Sequence, residues 1–574
     1  MPRWGCLVAL VSALAFSASA ASAATASSLM PGVTYQKELR WSSAGPFVLH
    51  VVTGPQPGGL FALRPVLAHN RVGSRETVSS MQRRLSRRAT VVGVNGDFFA
   101  LLTGGPSGLL VRGGRVASST QGRRSSLGVG ADGTLRIDRL RDTNTWTVPG
   151  YDTRRLHRIN KGVARPGVTL FTPSWGVSTP ASNTRVDVVL AGVGKLLPDQ
   201  QLFPVVVRVR RGGGTRIPAG GAVLQAQGVD WIRPLVRRAQ PGRTVVVRIS
   251  LRDWWDDVAN ALGGGPLLVQ NGEPVLSAGE DFTRDQLFGR HPRTAVGQLA
   301  DGRIIFVTVD GRSWFSIGLR ISELAKEMAR LGAVTAMAFD GGGSSTLAFD
   351  GRVFNRPSDG FERPVANTLM LLYYGIYAAP PRVRKFSPNG DGVADVQTLT
   401  AKIVRPSSVD LTLFQPDGAI SWTYVGSLEP GTVSKQLIGA TLPEGRWRWV
   451  AHAVDDRGRE SMMDRSFVLN NTLGFLFVSK TRMAVNRTTG GRVQLSVRLA
   501  HDANLRFAIR NGRGHDVRLL FGGDLTPGTY GVVWNGRSNA GRVVAPGTYT
   551  VYAQARNDLG RVTLQRKLRL VAEE

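Results

Sequence analysis

The residues most able to do chemistry cluster in Phe339-Asp340-Gly341-Gly342-Gly343-Ser344-Ser345-Thr346. An apolar run ends on a carboxylate, and three glycines and three hydroxyl residues follow at once. Consecutive glycines cost backbone entropy, so an ordered segment that holds them needs a reason. One reason is a turn whose N–H groups approach phosphate or sugar oxygens beside a fixed carboxylate. A tight turn after a strand is the other. A second apolar run, Ala89 to Val94, closes in the same way on Asn95-Gly96-Asp97-Phe98-Phe99. A third, Ile304 to Val309, closes on Asp310-Gly311-Arg312. Strands that end on polar residues beside glycine tend to place them at a shared rim.

The elements that must hold these residues are mostly strands. Phe47 to Val52 and Leu60 to Leu63 are apolar runs separated by Gly and Pro. Residues 100–260 read as short strands with variable loops. Ser74 to Arg88 has helical spacing, with Val78, Met81 and Leu85 on one face and Ser74 or Thr77 as cap. Ile321 to Leu331 is the strongest helical pattern, starting near Ser316 or Ser322, with Gly332 as the residue that follows its end. Beyond Ala378-Ala379-Pro380-Pro381 only strands and turns recur. Gly445 to Val454 followed by Asp455-Asp456-Arg457-Gly458 is echoed by Gly547 to Ala555 followed by Asn557-Asp558-Leu559-Gly560, a repeat of immunoglobulin-domain size.

Taken together, Asn95-Gly-Asp-Phe-Phe, Gly264-Gly-Pro, His291-Pro-Arg-Thr, Asp310-Gly-Arg, Asp340-Gly-Gly-Gly-Ser-Ser and Pro364-Val-Ala-Asn367 resemble, in order, the phosphodiester glycosidase family. That family is typified by the enzyme that removes N-acetylglucosamine covering mannose 6-phosphate. The resemblance implies hydrolysis of a sugar-1-phosphodiester at its glycosidic bond. Asp340 or Asp310 would be nucleophile or base for water. His291 would donate a proton or bind phosphate. Asp97 adds a carboxylate, as metal ligand or acid–base group. Arg293 would hold phosphate through its planar fork. Thr294, Arg312, Gly341, Gly342, Gly343, Ser344 and Ser345 would bind substrate, with Asn95 and Asn367 as hydrogen-bonders. Asp310 as a turn residue, His291 at the surface and Asn367 as a buried cap remain open alternatives.

In the tail, Phe386-Ser387-Pro388-Asn389-Gly390-Asp391-Gly392-Val393-Ala394-Asp395 and Trp534-Asn535-Gly536-Arg537 resemble immunoglobulin-like domains related to the flagellar hook-capping protein. Asn389, Asp391 and Asp395 are closely spaced oxygen ligands that could hold Ca²⁺; an Asx turn explains them equally well.

The expected fold class is α+β: a mixed-sheet catalytic domain over 24–377, then all-β immunoglobulin-like sandwiches over 378–470 and 471–574. Residues 1–23 read as a secretory signal, with Arg3, an apolar run to Phe16 and Ala21-Ser22-Ala23 as cleavage site. The one cysteine, Cys6, lies inside it, so the exported chain would have no disulfide or thiolate. No later run is long enough to span a membrane. The net charge of +31 comes mostly from Arg spread along the chain, with no RNP, zinc-finger or helix-turn-helix pattern. Nucleic acid is therefore discounted; the excess reads as a compositional bias toward Arg or as attraction to an anionic envelope polymer, and the expected partner is a phosphodiester-linked carbohydrate or such a polymer. The expectation is a secreted or envelope hydrolase. A non-catalytic binder of envelope polysaccharide is the alternative.

Overall fold

The computed structural model describes residues 26–162, 166–276, 279–388, 393–439, 441–486 and 488–573. Strands make up 53% and helices 7%, so the chain is mostly β and its helical share is smaller than an α+β class suggests.

The central sheet has eight strands. Its middle runs in the order Gly45–Gly54, Ile304–Val309, Arg293–Leu299, Ala333–Ala338. Beside it lies a five-stranded sheet whose core strands are Leu347–Phe349, Thr90–Asn95, Asn367–Tyr373 and Phe61–Leu67. Neighbours in both sheets pair antiparallel. Among the described residues of 24–377, the parallel pairing that a mixed sheet requires is confined to Arg158–Ile159 beside Gly167–Phe171.

Register explains the convergence of distant residues. Arg293 faces Val309, Ala295 faces Ala338, and Thr368 faces Asn95. Antiparallel pairing therefore brings the end of one strand beside the start of the next. The segments carrying Asp310, Arg293 and Asp340 emerge at one edge, and Asn95 and Asn367 reach it from the second sheet. Thr90–Asn95 and Ile304–Val309 are buried along their whole length, as their nearly continuous apolar runs require.

Two helices cover these sheets. Val78–Leu85 is capped by Thr77, whose hydroxyl accepts from the Ser80 amide at 3.2 Å. Ile321–Arg330 begins just after Arg320, and the Glu323 carboxylate accepts the Arg320 amide at 2.9 Å. Glu323 thus closes a helix start for which Ser316 or Ser322 was expected. Gly332 follows in the left-handed region at φ 87°. Leu324 and Met328 are fully buried in one cluster with Leu49, Val307 and Ala336. Each such side chain contributes about 1.5–3 kcal/mol of burial.

The tail contains two units of identical strand order, each pairing a three-stranded with a five-stranded sheet. Trp447 and Trp449 are buried in the first and Trp534 in the second. The Ala378-Ala379 stretch is not a free linker at its start, because Tyr377–Ala378 pairs with Val396–Ile403 and Ala378 is fully buried. Asn389 and Asp391 of the expected Ca²⁺ site lie outside the described residues, and Asp395 is half-buried.

Candidate active site

The strand Ala333–Ala338 delivers Phe339 and Asp340 to a cavity of about 180 Å³. Its wall includes Asp340, Gly341, Gly342, Gly343, His291, Arg293 and Arg312, together with Phe98, Phe282, Asp285 and Arg363. The glycine turn is locked from behind. The Asp340 amide donates to Gly96 O at 3.0 Å, and the Gly342 amide donates to Pro292 O at 2.9 Å. A Cβ on Gly343 would lie 2.1 Å from Asp359 Oδ2 and 2.2 Å from Arg363 Nη2. Only glycine lets the backbone pass this close to that ion pair.

Asn95 sits directly under the turn and is fully buried. Its amide nitrogen donates to Asp340 O at 2.7 Å, and its oxygen accepts from Thr294 Oγ1 at 2.8 Å and the Thr346 amide at 3.0 Å. One side chain therefore ties three strand ends together. Asn367 does the same for the first motif, accepting the Asp97 amide at 2.9 Å. A Cβ at Gly96 would lie 2.2 Å from that Asn367 oxygen, so glycine is required between Asn95 and Asp97. Asn95, Thr294 and Asn367 are thus scaffold beneath the cavity wall. Ser344 and Ser345 are likewise buried.

The carboxylates are placed differently. Burial pushes the Asp340 carboxyl up to about 6, with the nearby Asp97 charge adding to the shift and Ser344 and Arg363 opposing it. Burial also pushes Asp97 up to about 6, against its bond from the Gly108 amide and the charges of Arg124 and Lys161. Lys161 is pulled down to about 8 by burial, against the attraction of Asp97. Its ammonium donates to Ser107 O at 2.6 Å and Thr120 O at 2.7 Å. Asp97 is not on the cavity wall but influences Asp340 from beneath it.

Asp310, expected as an alternative catalytic carboxylate, is not on the cavity wall either. Its Oδ2 lies 3.0 Å from His50 Nε2, and its Oδ1 accepts the Arg356 amide at 2.9 Å. His50 Nδ1 in turn lies 2.9 Å from the Tyr35 hydroxyl. This chain, with His50 and Asp310 buried and Tyr35 half-buried, braces the loop that presents Arg312.

Arg293 lines the cavity, but its fork is committed to the protein itself. Nε, Nη1 and Nη2 donate to the carbonyls of Leu319, Gln286 and Gly289 at 2.7, 2.9 and 2.7 Å. Burial lowers its pKa to about 10, partly offset by Asp285 and Glu323. Arg312 is far less engaged. Its closest polar contacts are 3.5 Å to Ser358 Oγ and 3.5 Å to His291 Nδ1. Its backbone is left-handed at φ 60°, uncommon for a long side chain. Arg363 pairs with Asp359 at 2.7 Å. His291 Nε2 lies 3.1 Å from Asp285 Oδ2.

A carboxylate poised near neutrality, facing two guanidinium groups and a glycine turn, is suited to attack beside a bound phosphate. Residues 205–372 match the phosphodiester glycosidase family model. Residues 483–558 match the FlgD Ig-like domain. The resemblance read from the motifs is therefore shown for both parts of the chain. The phosphodiester glycosidase segment includes His291, Arg312, Asp340 and Arg363 but begins after Asn95 and Asp97.

Among curated relatives, the SPbeta prophage-derived uncharacterized protein YomE of Bacillus subtilis is 38% identical over 114 residues. That match covers 20% of this chain and 17% of YomE. A solved structure of a hypothetical protein from Synechocystis aligns with TM-score 0.52 and 24% identity, covering 60% of this chain and 62% of that one. It shows a shared fold. A putative exported protein from Burkholderia pseudomallei aligns with TM-score 0.48 and 26% identity over 57% of this chain and 74% of its own.

Arg363, Asp359, Phe282 and Lys161 were not singled out from the sequence as site residues. Phe282 and Phe98 pack against each other with ring centres 5.4 Å apart, and the Arg124 guanidinium carbon lies 4.4 and 4.8 Å from those centres. The one local signal for Arg363 is its spacing of four residues from Asp359.

Proposed function

We propose that this protein is an exported hydrolase that cleaves the glycosidic bond of sugar-1-phosphodiesters, N-acetylglucosamine-1-phosphodiester-like, on envelope or extracellular glycopolymers. The observation that carries this reading is the Asp340 carboxyl, pushed up to about 6 in a cavity shared with Arg312 and Arg363. The sugar C1–O bond breaks. Water supplies the new hydroxyl at C1, and the phosphate departs with the bridging oxygen as a monoester. Asp340 removes the proton from water or attacks C1 itself, and either use needs the ionised form. Arg312 and Arg363 hold the phosphate and offset the charge that builds on it. His291, held by Asp285 on the same cavity wall, would protonate the leaving oxygen or bind phosphate. Arg293, Asn95, Thr294 and Asn367 keep the turn in place, and Asp97 and Asp310 act through their neighbours.

The two C-terminal units are read as immunoglobulin-like sandwiches that set the hydrolase off from its anchorage. Secretion rests on the signal-like residues 1–23, and among the described residues no helix is long and apolar enough to cross a membrane.

Incubation with an α-N-acetylglucosamine-1-phosphodiester should release free sugar. Asp340→Asn should lower the rate about 10²–10⁴-fold while circular dichroism stays unchanged. Parent protein that releases no sugar from several such diesters, with and without added Ca²⁺, would favour the non-catalytic binder instead.

A further inference from the structure

A second surface carries charge that the catalytic cavity does not explain. Two adjoining cavities of about 420 and 500 Å³ share Arg64, Asn70 and Arg112 and so form one groove. Arg84, Arg87 and Arg88 line one end, and Arg115 lines the other. Among the described residues no carboxylate lines either cavity. Of these arginines only Arg84 forms an ion pair among the described residues, to Glu76 at 2.9 Å. The catalytic cavity is built otherwise, with Asp340 and Asp285 among its arginines.

Such crowding of like charges is unfavourable in itself. Burial and the like charges of Arg64 and Arg84 pull the Arg112 pKa down. A guanidinium does not release its proton at working pH, so only an arriving anion relieves the repulsion. The planar forks suit phosphate oxygens. Charges spread along a groove suit a repeated anion better than a single one. Among the described residues no aromatic side chain lines either cavity to offer a platform for stacking bases.

We propose that this arginine groove is a non-catalytic binding site for a linear phosphodiester-linked polymer, holding the substrate chain whose sugars the catalytic cavity removes. The assignment rests on the hydrolase reading above for its biological partner, though not for its chemistry.

The test uses the full chain and poly(glycerol phosphate) as probe, with affinity measured by titration calorimetry at stepped salt. The parent should bind and lose affinity steeply as salt rises. Arg87→Gln combined with Arg88→Gln changes two exposed side chains and should weaken binding about tenfold, with a salt slope smaller by roughly two. Arg112→Gln should weaken it comparably. Both should cleave a small sugar-1-phosphodiester at the parent's rate. Variants that bind the polymer as tightly as the parent overturn the proposal. So does a parent that prefers single-stranded DNA of equal phosphate number, or that fails to bind the polymer at low salt. Polymer binding without any sugar release leaves this site standing and removes the hydrolase.

Discussion

The Asp340 carboxyl, pushed up to about 6 by burial, keeps a proton in the folded chain that an unfolded chain has already released at pH 5. Folded protein therefore binds more protons than unfolded protein between about pH 4 and 6, and stability falls as pH rises through that window. Asp97 shifts in the same direction and adds to the slope. Activity should run the other way. In the proposed mechanism sugar release needs the Asp340 carboxylate, so the rate should rise with a midpoint near pH 6 while the melting temperature falls. Asp340→Asn should flatten part of the stability slope and melt no lower than the parent at pH 7.5. An acid limb centred near pH 4 would show that the reacting carboxylate is exposed and not the one in this cavity. Asp340, Asn95 and Gly343 were legible in the sequence because each ends a strand or fills a turn. Arg363, His50 and Tyr35 were not, because their roles arise from contacts between segments far apart in the chain.

Among the elements, the glycine turn and the loop carrying Asp359 and Arg363 set the cavity together. Gly343→Ala pushes a methyl group into the Asp359–Arg363 pair, whose nearest atoms would lie 2.1 and 2.2 Å away. Those atoms sit at the ends of movable side chains, so the fold should survive while Arg363 swings off the phosphate. Steady-state kinetics should show KM raised roughly tenfold, about 1.4 kcal/mol, with kcat changed less. An unchanged KM would remove Arg363 from phosphate binding. The helices followed from their periodic apolar faces, and Thr77 caps as its position suggested. The strand order did not, since Val309 beside Leu49 and Thr368 beside Asn95 are pairings that no local pattern encodes.

Across the whole molecule, the two C-terminal units are coupled to the phosphodiester glycosidase segment unequally. The first is tied in by Lys402–Asp350 at 2.9 Å, by Ser461 Oγ accepting the Ile376 amide at 3.0 Å, and by a core cluster that runs from Phe306 through Tyr377 to Trp447. The last has its own cluster, in which Leu495, Phe507 and Val551 are fully buried. Protein ending at residue 470 should therefore melt close to the full chain and keep turnover on a small diester. Protein ending at 377 should expose Tyr373 and Ile376 and aggregate on gel filtration. Equal loss in both truncations would mean that the last unit helps hold the catalytic fold. The repeat itself was legible as Gly445 to Val454 echoed by Gly547 to Ala555. The burial of Ala378 was not, because Ala-Ala-Pro-Pro looks the same whether it is packed or free.

The tie made by Asn95 has a kinetic meaning as well. Its amide reaches Asp340, 245 positions away, and its oxygen reaches Thr346, 251 positions away. Closing loops of that length is slow, and topologies dominated by distant pairings fold slowly. The catalytic rim should be completed late, after the local hairpins and helices have formed. On dilution from denaturant, far-ultraviolet ellipticity should recover before sugar release does. During synthesis, the first motif would then wait, unpaired, for its partners to arrive.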